Sequence, residues 1–482
     1  MCIFFAGVVS AQKGSQNSAI FKILDSPKAV VEANRASIAS VREAAIQIDP
    51  QAFRGGVADR IIVPLFDAQI YEAKRLAANG FEFRGMDDFT WRGKIIDERF
   101  SGDVVLTFKK GYVAGLIYSP KSVYEITPKG ESQILVELDQ TLYPTCAGGI
   151  KGDASTSSVV PTAGVDSGDL IDVLVLYTAA VRTSAGGDTQ AQTIAQQAVD
   201  STNTAYINSK IRQRVRLVGS QLTALVETGD FGTELSNLRA DATTATARET
   251  FKADLVDMLT NSTASCGIGY LMGAVGGNNN NAFTVTARTC AVGNLSFAHE
   301  LGHNMASHHN PENGGTPTFP YAFGHYVNGS FRTVMSYVDP CPAGCTRVAY
   351  FSNPTVNFNG QSTGIDNARD NARSINQTAD WIANYRYSGS SITMTNFNAG
   401  ELLPRFVGRD ITWTSDNLSG NVRIDLSRDE STTWQTLVAS TPNDGIEKIN
   451  VGNRVSRRAR LRVVSLAVPT VSDSSVTNLS IR

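Results

Sequence analysis

The chain has 482 residues, of which 42% are hydrophobic and 18% charged, as in a folded globular protein, and a formal net charge of −2. A chain of this length exceeds one ordinary domain, so we expect several domains. The charge excludes general attraction to nucleic acid or anionic membrane, and no apolar run approaches the roughly 18 residues that cross a bilayer, so we expect no nucleic-acid partner and no membrane span.

The first segment, residues 1–19, opens with MCIFFAGVVSAQ. Its short apolar run ends in the small residues Val9, Ser10 and Ala11, which suit a secretory cleavage site, although a positively charged start is missing. We interpret it as a truncated signal-like segment of a secreted protein. The alternative is a buried N-terminal strand, because the apolar run is only about seven residues long.

Residues 20–150 are predicted to form a β-rich unit. The runs DVVLTF and YVAGLIY, separated by KKG, are typical of two neighbouring strands. Residues 151–168 are rich in Gly, Ser, Thr and Pro and have almost no bulky apolar side chains. This composition predicts an exposed linker that is open to proteolytic cleavage.

Residues 169–387 alternate between strand-like and helix-like patterns. LIDVLVLYT, residues 170–178, has the continuous apolar character of a buried strand, and an apolar period of three to four residues follows at 194–205. DLVDML, CGIGYL and FTVTART add strand or helix candidates, and a helical period over 368–382 predicts a closing helix. The alternation predicts an α/β domain with three layers or a mixed sheet.

Residues 399–482 change to short strands with alternating apolar and polar side chains, separated by turn signals such as PNDG. This pattern predicts a small β-sandwich. The basic run RRARLR has arginines at alternate positions, so we interpret it as the solvated face of a strand rather than a nucleic-acid site.

Four of the five histidines lie in FAHELGHNMASHHN, residues 297–310. Side chains four apart share one face of a helix, so His299 and His303 can bind one metal ion while Glu300 lies beside it as a general base. A third ligand cannot come from the same helix, because His309 would then lie about 9 Å beyond His303 along its axis. The chain must turn first.

The pattern resembles the metzincin signature H-E-x-x-H-x-x-G-x-x-H, with Ala306 at the position of the glycine that turns the chain. The resemblance implies that His309, rather than its neighbour His308, is the third ligand of one catalytic Zn²⁺. Without the glycine, either Ala306 takes a strained left-handed conformation or the bend lies elsewhere.

TVMSY, residues 333–337, resembles the Met-turn that passes beneath the three histidines of metzincins. The resemblance makes Met335 the hydrophobic base of the site. Tyr337 resembles the tyrosine that approaches the zinc in astacins and serralysins, and simple packing is its alternative role.

Residues 169–387 resemble bacterial reprolysin-like metzincins, and most closely the peptidyl-Asp metalloendopeptidases. The matching segments are IDVLVLYT, CGIGYL, FAHELGHNMASHHN, TVMSYVDPC, FSNPTV and DNARSINQTADWIANYR. The resemblance implies a mixed sheet with an antiparallel edge strand that binds extended peptide, an active-site helix beneath it, and cleavage before acidic residues. Asn310 stands where reprolysins have Asp, which argues against the animal venom-type branch.

A preference for aspartate requires a cation in the pocket that receives the residue after the scissile bond. Arg332 and Arg347 flank the Met-turn and are the candidates, with a surface position as the alternative for each. We therefore expect a secreted, monomeric zinc endopeptidase that acts on proteins or peptides. No motif decides whether Ca²⁺ is also needed.

Cys266, Cys290, Cys341 and Cys345 form an even set around the histidines, and pairing them in sequence order is the simplest of three connectivities. Free buried thiols are the alternative. Cys146 stands alone at the end of the N-terminal unit. Its thiolate could occupy the fourth position on zinc, which resembles the cysteine switch of metzincin zymogens, and a structural thiol is the alternative.

The competing functional class is a secreted adhesion or binding protein that carries a structural zinc ion. Glu300 favours the enzyme, because a structural zinc site usually has four protein ligands and no adjacent carboxylate base. The predicted architecture is therefore a metzincin-type α/β domain with a mixed sheet and an active-site helix. An N-terminal β-rich prodomain and a C-terminal β-sandwich flank it.

Overall fold

The computed structural model describes residues 19–29, 35–49, 58–77, 79–85, 87–97, 100–151, 170–274, 279–386, 391–416, 418, 420–475 and 477–482. The predicted signal-like segment, except Ala19, and the predicted linker, except Lys151, lie outside the described residues. Among the helices that are described, none has the length and apolar character needed to cross a bilayer.

The described residues of the N-terminal unit form an antiparallel sheet of eleven strands, ordered β1-β3-β11-β10-β9-β8-β7-β5-β4 with β2 on β3 and β6 on β7. The strands are β1 (Phe21–Ile23), β2 (Lys28–Ala29), β3 (Ser40–Ile48), β4 (Arg60–Pro64), β5 (Ile70–Arg75), β6 (Phe81–Gly85), β7 (Asp88–Ile95), β8 (Asp103–Lys109), β9 (Tyr112–Tyr118), β10 (Val123–Lys129) and β11 (Ser132–Leu138). One core contains Trp91 and Tyr124. The predicted strands DVVLTF and YVAGLIY form the β8–β9 hairpin.

The central unit contains a six-stranded mixed sheet, ordered β12-β16-β17-β15-β13-β14. The strands are β12 (Gly149–Lys151), β13 (Leu170–Tyr177), β14 (Arg214–Leu222), β15 (Leu255–Thr260), β16 (Gly267–Leu271) and β17 (Phe283–Ala287). β13, β14, β15 and β17 are parallel, whereas β16 runs antiparallel to β17. β12, at the end of the N-terminal unit, pairs in parallel with the other edge of β16.

Among the described residues, seven α-helices lie around this sheet: α1 (Ala179–Ala185), α2 (Asp188–Asn208), α3 (Phe231–Ala240), α4 (Ala242–Phe251), α5 (Arg288–Ala291), α6 (Ser296–Asn304) and α7 (Asn371–Ile382). α2 packs against β14 on one side and against β8 and β9 of the N-terminal sheet on the other. The predicted closing helix is α7, but it begins later than the apolar period suggests. Asp370 caps it by accepting a hydrogen bond from the Arg373 amide, and Ala368 is an exposed residue before it.

Short strands connect α6 to α7: β18 (Tyr326–Val327), β19 (Phe331–Arg332), β20 (Thr346–Arg347), β21 (Asn357–Phe358) and β22 (Gln361–Ser362). Disulfides join Cys266 to Cys290 and Cys341 to Cys345, as predicted from sequence order. The first connects the segment before β16 to α5, and the second closes a short loop after the Met-turn.

The C-terminal strands are β23 (Ser391–Met394), β24 (Leu402–Leu403), β25 (Arg409–Asp416), β26 (Asn421–Ser427), β27 (Gln435–Pro442), β28 (Ile446–Ile449), β29 (Ser456–Ser465), β30 (Ser472–Ser474) and β31 (Leu479–Ile481). They form two sheets, β23-β25-β28 and β24-β31-β29-β26-β27 with β30 on β29, which contribute to one hydrophobic core. β23 lies before residue 399 and pairs with β25, so these sheets begin earlier than the predicted boundary. The protein is multidomain and β-rich with few helices.

Candidate active site

Helix α6 carries the first two histidines and the glutamate of the motif, and all of its residues are buried. The helix ends at Asn304, and Ala306 follows with a φ of 62°. The chain therefore turns at the position predicted, with a left-handed alanine in place of glycine. This turn directs His309 back toward the helix, at a conformational cost of roughly 1–2 kcal/mol.

Three imidazole rings converge at the end of this turn. The Nε2 atom of His309 lies 3.1 Å from that of His299 and 3.0 Å from that of His303. The Nδ1 atoms of the three rings donate to backbone carbonyls, at 2.9 Å to Val334, 3.0 Å to Ser307 and 3.4 Å to Asn313. These hydrogen bonds place the proton on Nδ1, so each Nε2 carries a free lone pair.

The three lone pairs face one another and suit a cation between them, because unprotonated nitrogens cannot donate hydrogen bonds to one another. Burial and the neighbouring imidazoles lower the pKa of His299 and His303 well below its ordinary value, and burial lowers that of His309 to about 4. Tetrahedral zinc, with Zn–N distances of about 2.05 Å, separates its nitrogen ligands by about 3.3 Å. The ring nitrogens therefore fit a metal ion of this kind.

Cys146 of the N-terminal unit completes a group of four metal-ligating side chains. Its Sγ atom and the three histidine nitrogens all lie within 4.8 Å of one another. Sγ donates a hydrogen bond to Oε1 of Glu300 at 3.1 Å. Desolvation and the Glu300 carboxylate raise the pKa of this free thiol well above its ordinary value.

Backbone hydrogen bonds hold the Cys146 segment against strand β16. The Ala147 amide donates to the Gly267 carbonyl at 2.9 Å, and the Cys266 amide donates to the Thr145 carbonyl at 3.2 Å. The Tyr337 hydroxyl donates to the Cys146 carbonyl at 3.2 Å. Strand β16 and Tyr337 thus hold the Cys146 segment from two sides.

Glu300 is fully buried beside the histidines, and burial raises its pKa to about 8. The Glu300 side chain fits at this position because two residues of β16 are glycines. These glycines were not among the site residues predicted from the sequence. A Cβ atom on Gly267 would lie 2.5 Å from Oε1, and one on Gly269 would lie 3.0 Å from the Glu300 carbonyl oxygen. The alternating glycines of CGIGYL were the available signal for this close contact.

A model of the reprolysin-like metallopeptidase family M12B matches residues 192–310. The chain is 33% identical over 304 residues to a peptidyl-Asp metalloendopeptidase of Stenotrophomonas maltophilia, which covers 59% of this chain and 70% of the relative. It is 32% identical over 288 residues to a peptidyl-Asp metalloendopeptidase of Xanthomonas campestris pv. campestris, covering 57% of this chain and 67% of the relative. The chain belongs to the peptidyl-Asp metalloendopeptidase family.

This family membership makes the protein a reprolysin-like zinc metalloendopeptidase, with proteins or peptides as its substrates. The alternative of an adhesion or binding protein with a structural zinc ion is therefore set aside.

The TVMSY segment of this metalloendopeptidase packs against helix α6 beside the histidine cluster. Met335 is fully buried, and a Cβ atom on Gly302, between the two helical histidines, would lie 2.6 Å from its Sδ atom. The glycine of HELGH therefore allows the methionine to approach the helix. The Tyr337 ring lies 4.2 Å from that of His309 between centroids, so its packing contact and its polar contact with Cys146 coexist.

His308 and Asn310 have supporting positions. The His308 ring faces Phe323 and does not belong to the four-residue cluster. Asn310 accepts a hydrogen bond from the Tyr337 amide at 2.9 Å, which joins the loop after α6 to the Met-turn.

Arg332 and Arg347 are both buried, with 3% and 4% of their surface exposed, so their surface alternative is wrong. They line a cavity together with His299, Tyr337 and residues of the N-terminal unit. The structure therefore brings both arginines to the histidine cluster.

Proposed function

We propose that this metalloendopeptidase is a secreted monomer that is made as a latent zymogen and cleaves proteins on the N-terminal side of aspartate. In this proposal His299, His303 and His309 hold one zinc ion, and Glu300 is the general base. The observation that carries the proposal is the convergence of three neutral Nε2 atoms beside a buried carboxylate.

A zinc ion bound by these histidines supplies Lewis acidity, which polarises a scissile carbonyl and makes water more acidic. The Glu300 carboxylate accepts the proton of the attacking water and later donates it to the leaving amine. The Val334 and Ser307 carbonyls hold two of the rings in the tautomer that presents Nε2.

Tyr337 is proposed to donate a hydrogen bond to the scissile carbonyl. Its hydroxyl already donates a hydrogen bond to a backbone carbonyl, the carbonyl of Cys146. Desolvation raises its pKa, so the hydroxyl keeps its proton. The edge of β16 that β12 now covers is proposed to bind the extended substrate by strand addition.

Latency is proposed to come from residues 20–150, acting as a prodomain. The Sγ atom of Cys146 lies within 4.8 Å of the three histidine nitrogens, so this thiol would compete with water for a zinc ion held by them. The N-terminal sheet is anchored on α2, where Asp200 accepts hydrogen bonds from Thr90, Thr107 and Arg92. We propose activation by cleavage in residues 151–168, between the prodomain and the catalytic domain, 169–387.

The C-terminal residues 399–482, together with β23, are proposed to be an accessory β-sandwich. Their two sheets contribute Ile411, Trp413, Ile424 and Leu461 to one core that is separate from the core of the central unit. This separation supports an independent folding unit.

Variants of the activated protein test the assignment of the metal ligands and the base. We expect Glu300→Gln to retain about one zinc per chain and lose casein hydrolysis by a factor on the order of 10²–10⁴. His309→Ala should lose zinc as well, because a third ligand is removed. Metal content and hydrolysis with and without chelator are measured, and mass spectrometry of the products locates the cleaved bonds.

His308→Gln is the matched control, since this neighbouring histidine lies outside the cluster and should leave both zinc content and hydrolysis unchanged. A zinc content that is lost with His308→Gln and kept with His309→Ala would reverse the ligand assignment. Near-normal hydrolysis by Glu300→Gln would refute the role of the base.

A further inference from the structure

Arg332 and Arg347 form a buried pair next to the proposed zinc site. They are register partners on the parallel strands β19 and β20, so their side chains leave the strands on one face. Both guanidinium groups donate to the Ser336 carbonyl, at 2.8 Å from Arg332 and 3.0 Å from Arg347. Arg347 also donates to the Asn294 carbonyl at 2.9 Å. Two cations are thereby held side by side by neutral acceptors.

The pair has no hydrogen-bonded anionic partner among the described residues. The two guanidinium groups donate to neutral oxygens of Ser336 and Asn294, and the Nε atom of each is buried without a hydrogen-bond partner. The carboxyl groups of Glu300 and Asp339 act on the pair only through space. Burial and the charge of Arg347 lower the pKa of Arg332 well below its ordinary value, and burial lowers that of Arg347 to about 10. Burying two like charges without a paired counter-ion is unfavourable, and this arrangement is typical of an anion-binding site.

The pair lines a cavity beside the histidine cluster. The two arginines line a cavity of about 20 Å³ together with His299, Ser296 and Tyr337. The cavity therefore adjoins the metal cluster and the Met-turn, on the side of the helix that bears His299. A peptide whose carbonyl reaches the metal would place an adjacent side chain here.

The N-terminal unit supplies the remaining wall of this cavity. The lining residues that it contributes are neutral: Gln140, Tyr143, Pro144, Thr145 and Cys146. The Gln140 side chain also accepts a hydrogen bond from the Arg347 amide at 2.7 Å. The latent form therefore covers the arginines without giving them a carboxylate.

We propose that Arg332 and Arg347 together form the subsite that binds the carboxylate of the residue after the scissile bond, and that residues 140–146 close this subsite in the zymogen. The inference deepens the proposed cleavage before aspartate and rests on it. Guanidinium groups bind carboxylates through paired hydrogen bonds, and an asparagine of equal size would leave both charges without a partner. Discrimination would thus come from charge rather than from shape.

The test compares activated enzyme on two peptides that differ only in Asp or Asn after the scissile bond. We expect the wild type to favour the Asp peptide by at least about a hundredfold in kcat/KM. Arg332→Met and Arg347→Met should each lower kcat/KM for the Asp peptide by roughly a hundredfold and leave the Asn peptide within about threefold. Arg332→Lys and Arg347→Lys should recover part of the loss, because they keep the charge.

Arg216→Met is the control, since Arg216 has its own carboxylate partner, Asp172, at 2.7 Å, and lies on β14 at the opposite edge of the sheet from β16. It should keep the wild-type ratio between the two peptides. A second measurement uses the wild type alone: succinate should inhibit competitively on the Asn peptide, and sodium chloride at equal ionic strength should not.

The outcomes separate the two proposals. A wild type that does not prefer the Asp peptide refutes both the proposed cleavage specificity and the subsite. A wild type that prefers Asp, together with folded arginine variants that keep this preference, overturns the subsite alone. If the variants do not fold, the absence of inhibition by succinate overturns it.

Discussion

The turn at Ala306 brings the third histidine to the site, and the backbone of this alanine is strained. Its φ of 62° is in the left-handed region, where the Cβ of a non-glycine residue is crowded. The favourable free energy of metal binding offsets this strain in the holoenzyme. The local motif predicted the turn, because the spacing between His303 and His309 leaves no other way to join them. It could not decide between a strained alanine and a displaced bend.

Ala306→Gly is expected to stabilise the metal-free protein by up to about 1 kcal/mol. Relief of roughly 1–2 kcal/mol of strain is partly offset by the greater backbone freedom of glycine in the unfolded chain. Urea denaturation of the metal-stripped protein measures the change. Ala298→Gly, within α6, is the control and should instead destabilise by about 1 kcal/mol. Equal destabilisation by both substitutions would contradict the strain at Ala306.

At the scale of elements, long segments with a regular apolar period could be predicted from the sequence. Short elements that form only through tertiary contacts could not. The apolar run of β13 and the helical period of α2 each correspond to an element with the expected burial. Strand β12 has only three residues and exists because β16 offers it an edge. The buried position of Arg347 likewise depends on the partner strand and on the N-terminal unit, neither of which its local sequence reveals.

In the proposed zymogen, the Cys146 thiol should be necessary for full latency, in addition to the cover that β12 gives to the edge of β16. Cys146→Ser is expected to give the uncleaved protein weak but measurable casein hydrolysis, because a serine hydroxyl is a much poorer zinc ligand than a thiolate, and β12 still limits access of the substrate. Mass spectrometry confirms that the chain is intact during the assay. Thr145→Val, which keeps the backbone hydrogen bond to Cys266, should remain latent. Unchanged latency of Cys146→Ser would eliminate the switch.

At the scale of the whole molecule, the N-terminal and central units share polar and apolar contacts. Leu116, Tyr118, Val136 and Leu138 of the N-terminal sheet belong to the same hydrophobic core as β13 and α6. Asp200 of α2 is fully buried under the N-terminal strands and pairs with Arg92 at 3.0 Å. The two units are therefore joined by an internal interface.

Asp200→Ala is expected to destabilise the uncleaved protein by about 2–4 kcal/mol, because Thr90 and Thr107 lose their buried acceptor and Arg92 keeps only Glu82 as an ionic partner. The midpoint of urea unfolding of the uncleaved chain measures this effect. Asp380→Ala removes an exposed partner of Arg212 and should change stability by less than about 1 kcal/mol. A similar small effect of both substitutions would show that the Asp200 contacts do not hold the units together.

The shared core has a consequence for the timing of activation. A single proteolytic cut changes which residues are covalently joined, but it leaves the apolar surface of Tyr118 and Leu138 in the same contacts. In the proposed zymogen, a nicked molecule would therefore stay closed until the severed half is itself digested. Activity would then appear after a delay set by destruction of that half, and once begun it could not be reversed.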